Sequence, residues 1–390
     1  MESLAKADSS VNQANLLQWE YLMGLLAFLI LIQLLITLVH WVIFQSVDHY
    51  FELEGVVRYT TFWGFFLLSF VFLISNIATR IIPGKISRLA YRVGTAWLGT
   101  AHFLFLGATL IALLEICSWF LRLSMPSMIA WGVYIGAIVF SILALKKGKT
   151  LQVVRIPIKL PNLPEIWQGK KLCFFADTHY GNIYREQSAK RLVATILEEQ
   201  PDLLLMGGDF FDGPPIQADL VTEPYQAITQ QIPSFFVSGN HEEYGKKADF
   251  LRSLEAHGFR IINDKKVVLD GLQIVGLDFM TTRTEVATAM TMKHLDIDPK
   301  LPTVVLKHIP RHVETVASLG GHLMLSGHTH RGQMWPFNLV TEFIYHGFDY
   351  GLKSHETLSV YTTSGAGSWG PPQRLGTQVE IVIFTLQEKT

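Results

Sequence analysis

Four long apolar stretches crowd the first 145 residues of this chain, and they constrain its fold more than any other feature. Residues 21–44, 62–82, 93–121 and 127–145 are each long enough to cross a hydrocarbon core of roughly 30 Å at about 1.5 Å per helical residue. Each is expected to be a helix. The mean hydropathy of +0.28 and the 49% hydrophobic content come largely from this half, because the chain after Leu145 reads like an ordinary soluble protein. The expected division is a four-span transmembrane anchor region at 1–150 and a globular domain at 151–390. The first stretch is too long for the apolar part of a signal peptide and no small-residue cleavage site follows it, so it is expected to stay in the mature chain.

Basic residues set the expected orientation. Arg80, Lys85, Arg88 and Arg92 lie between the second and third stretches, and Lys146, Lys147, Lys149 and Arg155 follow the fourth. Both groups are expected on the cytoplasmic face of an inner or plasma membrane. The loop with Asp48, Glu52, Glu54 and Arg58 suits the opposite face, so both termini and the globular domain are predicted to be cytoplasmic. Within the stretches, His40, His102 and Glu115 show no metal-ligand or relay spacing and are read as packing residues.

A net charge of −1 excludes a general polyanion binder, and no specific nucleic-acid binding is expected. Phosphate recognition, if present, must be local. The two cysteines, Cys117 and Cys173, fall in an expected span and an expected core strand, which argues against a disulfide framework.

From Lys171 onward, short apolar runs alternate with helical periodicity, as in an α/β domain. What matters is how the runs end. Run 172–176 leads to Asp177 and His179, run 202–206 to Asp209 and Asp212, and run 234–237 to Asn240 and His241. Run 303–306 then leads to His308, and run 322–325 to His328 and His330. In open α/β sheets the crevice beyond the carboxyl ends of strands is the usual ligand site. Asp-x-His offers a carboxylate and an imidazole on one side of an extended backbone, where they can hold one cation. The two oxygens of Asp209 can bridge a pair of cations about 3.5 to 4 Å apart. Any one of these motifs alone is more often a turn or a surface residue, but all five in order, each closing an apolar run, point to a metal site.

The motifs D177-T-H179, G-G-D209-F-F-D212, G-N240-H241-E, H308 and G-H328-T-H330 resemble the calcineurin-like metallophosphoesterase superfamily. The stretches S326-G-H-T-H-R-G-Q333 and G365-A-G-S-W-G-P-P-Q-R-L-G376 are similar to its membrane-associated bacterial branch. The resemblance implies a four-layer α/β/β/α sandwich with two mixed sheets, preceded here by the four-helix transmembrane region. It implies two divalent ions of Mn, Fe, Zn or Co type, the first held by Asp177, His179, Asp209 and His330 and the second by Asp209, Asn240, His308 and His328. His241 would assist the leaving group and Asp212 would orient it. Thr178, Arg331 and Glu242 depart from the usual pattern without removing a ligand; little consequence is expected of Glu242, and Arg331 is a candidate phosphate contact.

The function expected is metal-dependent hydrolysis of a phosphodiester or pyrophosphate bond, with in-line attack of water on phosphorus. The spans make the lipid bilayer a partner and a lipid-linked substrate such as UDP-2,3-diacylglucosamine a candidate, and aromatics in 335–350 are read either as meeting lipid or as a packed loop. The alternative is a membrane sensor or binding module with a catalytically weak phosphoesterase domain. A transporter would need organised polar residues or broken-helix repeats in the spans.

Overall fold

The structure, a computed structural model, describes the backbone of residues 2–213 and 216–389 and, before Leu26, the surroundings of Met23 and Gly24 alone. Two compact units divide the chain, Met1–Ala78 with Val93–Ser141, and Thr79–Arg92 with Ile142–Thr390.

Five helices occupy the apolar half: α1 (Glu2–Phe51), α2 (Gly55–Leu68), α3 (Val71–Ile81), α4 (Lys85–Phe120) and α5 (Ser127–Lys147). The segments Leu26–Phe51, Lys85–Phe120 and Ser127–Lys147 are each long and apolar enough to cross a membrane, and α2 with α3 forms a fourth if the pair is one span. Residue 21, the expected start of the first stretch, lies outside the residues whose side chains are described.

The second stretch is not the single helix that its composition predicts, because α2 and α3 meet at a 43° bend. The cause is at Ser69, whose hydroxyl donates back to the Phe66 carbonyl at 2.7 Å. The Ser69 carbonyl in turn accepts from Gln33 Nε2 at 3.1 Å. A serine that bonds its own preceding turn, with a side chain competing for its carbonyl, bends an apolar helix. His40 is buried and satisfied, with Nδ1 at 2.8 Å from the Ile36 carbonyl and Nε2 accepting from Trp97 Nε1 at 2.9 Å. That is a packing role, as expected. Glu115 stands 3.5 Å from His49.

Only residues 148–150 separate α5 from the first strand of the second unit, β1 (Leu151–Leu160). The strands that follow are β2 (Lys171–Phe175), β3 (Leu203–Met206), β4 (Ser234–Phe236), β5 (Arg260–Ile261), β6 (Lys265–Leu269), β7 (Leu272–Leu277), β8 (Thr303–Lys307), β9 (Leu323–Ser326), β10 (Gly351–His355), β11 (Leu358–Thr362) and β12 (Val379–Glu388). Among them lie α6 (Glu186–Glu199), α7 (Asp219–Thr222), α8 (Gln226–Thr229), α9 (Lys247–Ala256), α10 (Glu285–His294), α11 (Val313–Ser318) and α12 (Phe337–Ile344).

The strands form two six-stranded sheets, in the orders β1-β12-β2-β3-β4-β5 and β10-β11-β9-β8-β7-β6. Both are mixed. In the first, β12 runs parallel to β1 and antiparallel to β2, while β2 to β5 are parallel to one another. In the second, β7, β8, β9 and β11 are parallel, with antiparallel β6 and β10 at the edges.

The central strands are apolar without alternation because both of their faces are covered. Leu172, Phe174, Leu203 and Leu205 of the first sheet share a core with Val304, Leu306, Leu323 and Leu325 of the second. The intervening Cys173, Phe175, Leu204 and Met206 point the other way, onto Leu192, Val193 and Ile196 of α6. On the second sheet, Val305 and Met324 face Met292 of α10 and Val313 and Val316 of α11. The five apolar runs marked in the sequence correspond to β2, β3, β4, β8 and β9 within a residue or so at each end. Cys117 and Cys173 are both free.

Phe174 is fully buried between the sheets, so Phe174→Ala should destabilise the domain by about 3–5 kcal/mol. Denaturant unfolding of the detergent-solubilised chain, followed by a probe in the soluble part, measures it.

Candidate metal centre

Parallel strands running side by side deliver their carboxyl ends to one edge of each sheet, and the loops that leave β2, β3, β4, β8 and β9 carry the chemistry. Several candidate ligands leave their strands through left-handed backbone: Asp177 (φ 56°), His179 (φ 46°), Asp209 (φ 53°), His328 (φ 71°) and His330 (φ 48°). Such conformations cost on the order of 1–3 kcal/mol each in non-glycine residues and persist only where the surroundings enforce them. Two glycines make the close approach possible. A Cβ on Gly327 would stand 2.1 Å from Asp177 Oδ2, and one on Gly239 would stand 2.2 Å from Asp209 Oδ1.

Among the described residues, three groups of potential ligand atoms result: Asp177, His179 and His330; Asp209, His308 and His328; and His179, Asp212 and His241. In the first, His179 Nε2 lies 2.9 Å from His330 Nε2, and the two nitrogens are 3.9 and 3.8 Å from Asp177 Oδ1. In the second, His308 Nε2 lies 3.2 Å from Asp209 Oδ2 and 3.1 Å from Asn240 Oδ1, which is itself 2.8 Å from His328 Nδ1. Asp209 Oδ2 is also 3.9 Å from His179 Nε2, so one oxygen lies between the two groups. All seven residues expected to be ligands come together. The two expected to assist catalysis are beside them: Asp212 Oδ1 is 3.5 Å from His179 Nδ1 and 3.7 Å from His241 Nδ1. The backbone N–H of His241 donates to Asp209 Oδ1 at 2.8 Å.

The donor chemistry fits a cation. His308 Nδ1 faces the Gly207 carbonyl at 2.8 Å, a group that can only accept, so its proton belongs on Nδ1. The lone pair of Nε2 then points at a carboxylate oxygen and an amide oxygen, both acceptors. With the Asn240 amide oxygen turned inward these are three acceptors facing one another in a buried space, an arrangement that a metal ion or an added proton relieves, and a carbonyl fixing the far nitrogen is how metal-ligating histidines are oriented. Without a cation, the proton is what the site takes up. The Asp209 carboxylate outweighs the effect of burial and pushes His308 up to about 9. Burial opposes ionisation of Asp209 as well, but the surrounding imidazoles, His308 foremost, hold it well below the usual carboxylate range. Burial pushes Asp177 up to about 6 and pushes His328 down to about 3, the latter helped by charged His308.

Three further residues, to which the sequence motifs assign no part, stand at the centre. Glu242, expected to matter little, is fully buried. Its carboxylate accepts from the backbone N–H groups of Asp209, Phe210, Phe211 and Gly239 at 2.7 to 3.2 Å. One carboxylate therefore ties the β3 loop to the β4 loop. Burial, followed by the Asp209 charge, pushes it up to about 7. Arg374, also fully buried, donates to His330 Nδ1 at 2.9 Å and to the His330 carbonyl at 3.1 Å, and holds the Gly367 carbonyl. Trp369 is exposed, with its ring 6.1 Å from that of His241. Arg331, the candidate phosphate contact, stacks its guanidinium over Tyr350 at 4.4 Å.

Residues 170–332 match the family described as calcineurin-like phosphoesterase. An uncharacterized metallophosphoesterase of Aquifex aeolicus is 30% identical over 239 residues, covering 59% of this chain and 88% of the relative. One from Helicobacter pylori strain J99 is 29% identical over 223 residues, 56% of this chain and 60% of the relative. A transmembrane protein with metallophosphoesterase domain from Danio rerio is 26% identical over 255 residues, 61% of this chain and 57% of the relative. The chain thus spans about three-fifths of the length of the Helicobacter and Danio relatives. The chain belongs to the calcineurin-like metallophosphoesterases, a family of divalent-metal hydrolases, and its apolar helices make it a membrane protein.

Two outcomes follow. Adding a divalent ion at about 100 times its Kd should stabilise the metal-stripped chain by about 2.7 kcal/mol. At roughly 2–4 °C per kcal/mol, the melting temperature of the catalytic domain should rise by about 5–10 °C in differential scanning fluorimetry. Glu242→Ala leaves four buried N–H donors without their acceptor, and chemical denaturation should show a loss of about 3–5 kcal/mol.

Proposed function

We propose that this chain is a membrane-anchored, dinuclear-metal phosphoesterase that hydrolyses a phosphodiester or pyrophosphate bond. The observation that carries the reading is the confrontation of His308 Nε2 with the acceptor oxygens of Asp209 and Asn240. One ion would be held by Asp177, His179, Asp209 and His330, the other by Asp209, Asn240, His308 and His328, with Asp209 shared. Bound there, divalent ions such as Mn, Fe, Zn or Co would activate water and neutralise charge on the phosphoryl oxygens.

The chain's own groups supply the rest. His241 is held by its backbone N–H to Asp209 and by its ring against Asp212, whose carbonyl lies 3.3 Å from Nδ1. Asp212 thereby favours a proton on Nδ1 and sets the plane of the ring. With Nδ1–H held by Asp212, only the imidazolium form of His241 has an Nε2 proton to offer a departing oxygen; burial and neighbouring His179 disfavour that form in the metal-free chain, and the negative charge of a bound phosphate would restore it. Arg331, stacked on Tyr350, keeps its fork of donors beside the His330 loop as a contact for a substrate phosphate.

We read residues 1–150 as the membrane region, with α2 and α3 forming one bent crossing and giving four spans, and residues 151–390 as the catalytic domain, layered α/β/β/α. The basic segments after α3 and α5 favour a cytoplasmic catalytic domain. Its partners are the bilayer and a phosphorylated substrate, of which a lipid-linked one such as UDP-2,3-diacylglucosamine suits an enzyme tethered beside lipid.

The full-length chain in detergent, supplied with Mn²⁺ and a panel of nucleotide lipids, phospholipids and soluble diesters, tests the reading. Hydrolysis is expected, and it should disappear in Asp209→Ala. His241→Ala should lower kcat by about 10²–10⁴-fold with metal content retained. Absence of any metal-dependent P–O cleavage across the panel refutes the enzyme and favours a sensor; activity confined to soluble diesters refutes the lipid-linked substrate.

A further inference from the structure

Helix α12 is built inside out for a soluble domain. A surface helix normally turns its apolar stripe to the core and its polar residues to water. Here none of the residues of α12 is buried. Phe337, Leu339, Val340, Phe343 and Ile344 are all exposed, Phe343 by 82%, and Trp335 just before the helix is exposed as well. The polar side is the one tied down, since Thr341 Oγ1 donates to Asp349 Oδ2 at 2.9 Å, and Asp349 is buried. A contiguous apolar face of this kind marks a surface that something covers.

The position of the helix says what covers it. Its first turn rests on the loop that carries the last two histidines, because a Cβ on Gly332 would meet the Asn338 nitrogen and the Phe337 carbonyl carbon at 2.3 Å. At its base, the Trp335 N–H donates to the Leu375 carbonyl at 3.0 Å, and the Leu375 N–H donates to the Gln333 carbonyl at 3.2 Å. The neighbouring Arg374 N–H donates at 3.0 Å to the carbonyl of Ala144, inside the membrane-crossing segment Ser127–Lys147. Gly148, one residue past that segment, packs so closely on the Pro372 carbonyl that no Cβ would fit. One loop thus joins the last turn of a span to the foot of α12. Lys146 and Lys147 lie exposed at the same end of the span, where they suit anionic headgroups.

We infer that α12 is an in-plane interfacial helix whose exposed apolar face is buried in the bilayer leaflet in which α5 ends. Aromatic and aliphatic side chains at the boundary between headgroups and acyl chains gain the burial that the protein core does not give them. The helix is then a second attachment of the catalytic domain to the membrane, beside the covalent one, and it holds the His328–His330 loop at the lipid surface. The inference rests on the spans and on α12 alone, so it stands or falls independently of hydrolysis.

Site-directed spin labelling of the full chain tests it. In a Cys117→Ala background, single cysteines replace Leu339, Phe343 and, as an aqueous reference, the exposed Lys300; Cys173 is buried and does not label. The labelled chains are placed in nanodiscs of phosphatidylcholine and phosphatidylglycerol, and relaxation by oxygen is compared with relaxation by a water-soluble nickel chelate. Labels in the leaflet should show an oxygen-to-nickel ratio roughly threefold or more above that at position 300. A ratio at positions 339 and 343 equal to that at 300 overturns the proposal. Leu339 and Phe343 are exposed, so folding is not at stake, and circular dichroism of each variant verifies it.

Discussion

The organisation of the metallophosphoesterase domain depends on one local conflict. A backbone carbonyl claims the Nδ1 proton of His308, and the opposite nitrogen is left facing two oxygens that cannot donate to it. In a dry interior that arrangement is unfavourable unless positive charge sits among the three atoms. The rest of the centre is arranged around the same demand. The left-handed turns, the close approach of Gly327 and Gly239 to carboxylates, and the Glu242 clamp fix the acceptors in place. Two sheets supply the rigidity, since loops alone would relax apart.

Electrostatics within the centre are uneven in a useful way. Asp177 and Asp209 are both buried carboxylates, but Asp209 is surrounded by imidazoles and stays ionised, whereas burial dominates at Asp177 and raises it to about 6. The more charge-rich carboxylate is the one whose Oδ2 lies between the two ligand groups. Arg374 adds a fixed positive charge behind His330, and Glu242 a carboxylate behind Asp209, so each group has a buried ionisable residue behind it.

Much of this was legible in the sequence. Strand ends at Asp177, Asp209, Asn240, His308 and His328 could be read because two-sided burial writes a strand as an unbroken apolar run, and parallel strands send their ends to one place. The weight of Glu242, of which the sequence predicts little consequence, is hidden because its oxygens serve backbone N–H groups mostly of another loop, and nothing in a local motif announces such a bond. Arg374 lies in a glycine-rich stretch whose local pattern assigns it no part, since its partners are a ring nitrogen and carbonyls supplied from elsewhere in the chain. The bend between α2 and α3 depends on Gln33, 36 residues from Ser69, and composition alone reads that stretch as one helix. For α12, the sequence shows an apolar segment without saying which way it faces.

The connection from α5 to β1 is only three residues long. Three extended residues reach at most about 10 Å, so the edge strand of the first sheet cannot leave the neighbourhood of the membrane surface. For the lipid-linked substrate proposed above, so short a leash makes lateral diffusion the route by which the catalyst would meet it. Its rate would therefore respond to how densely a target populates the surrounding leaflet, a quantity fixed by membrane composition and not by the volume of the compartment.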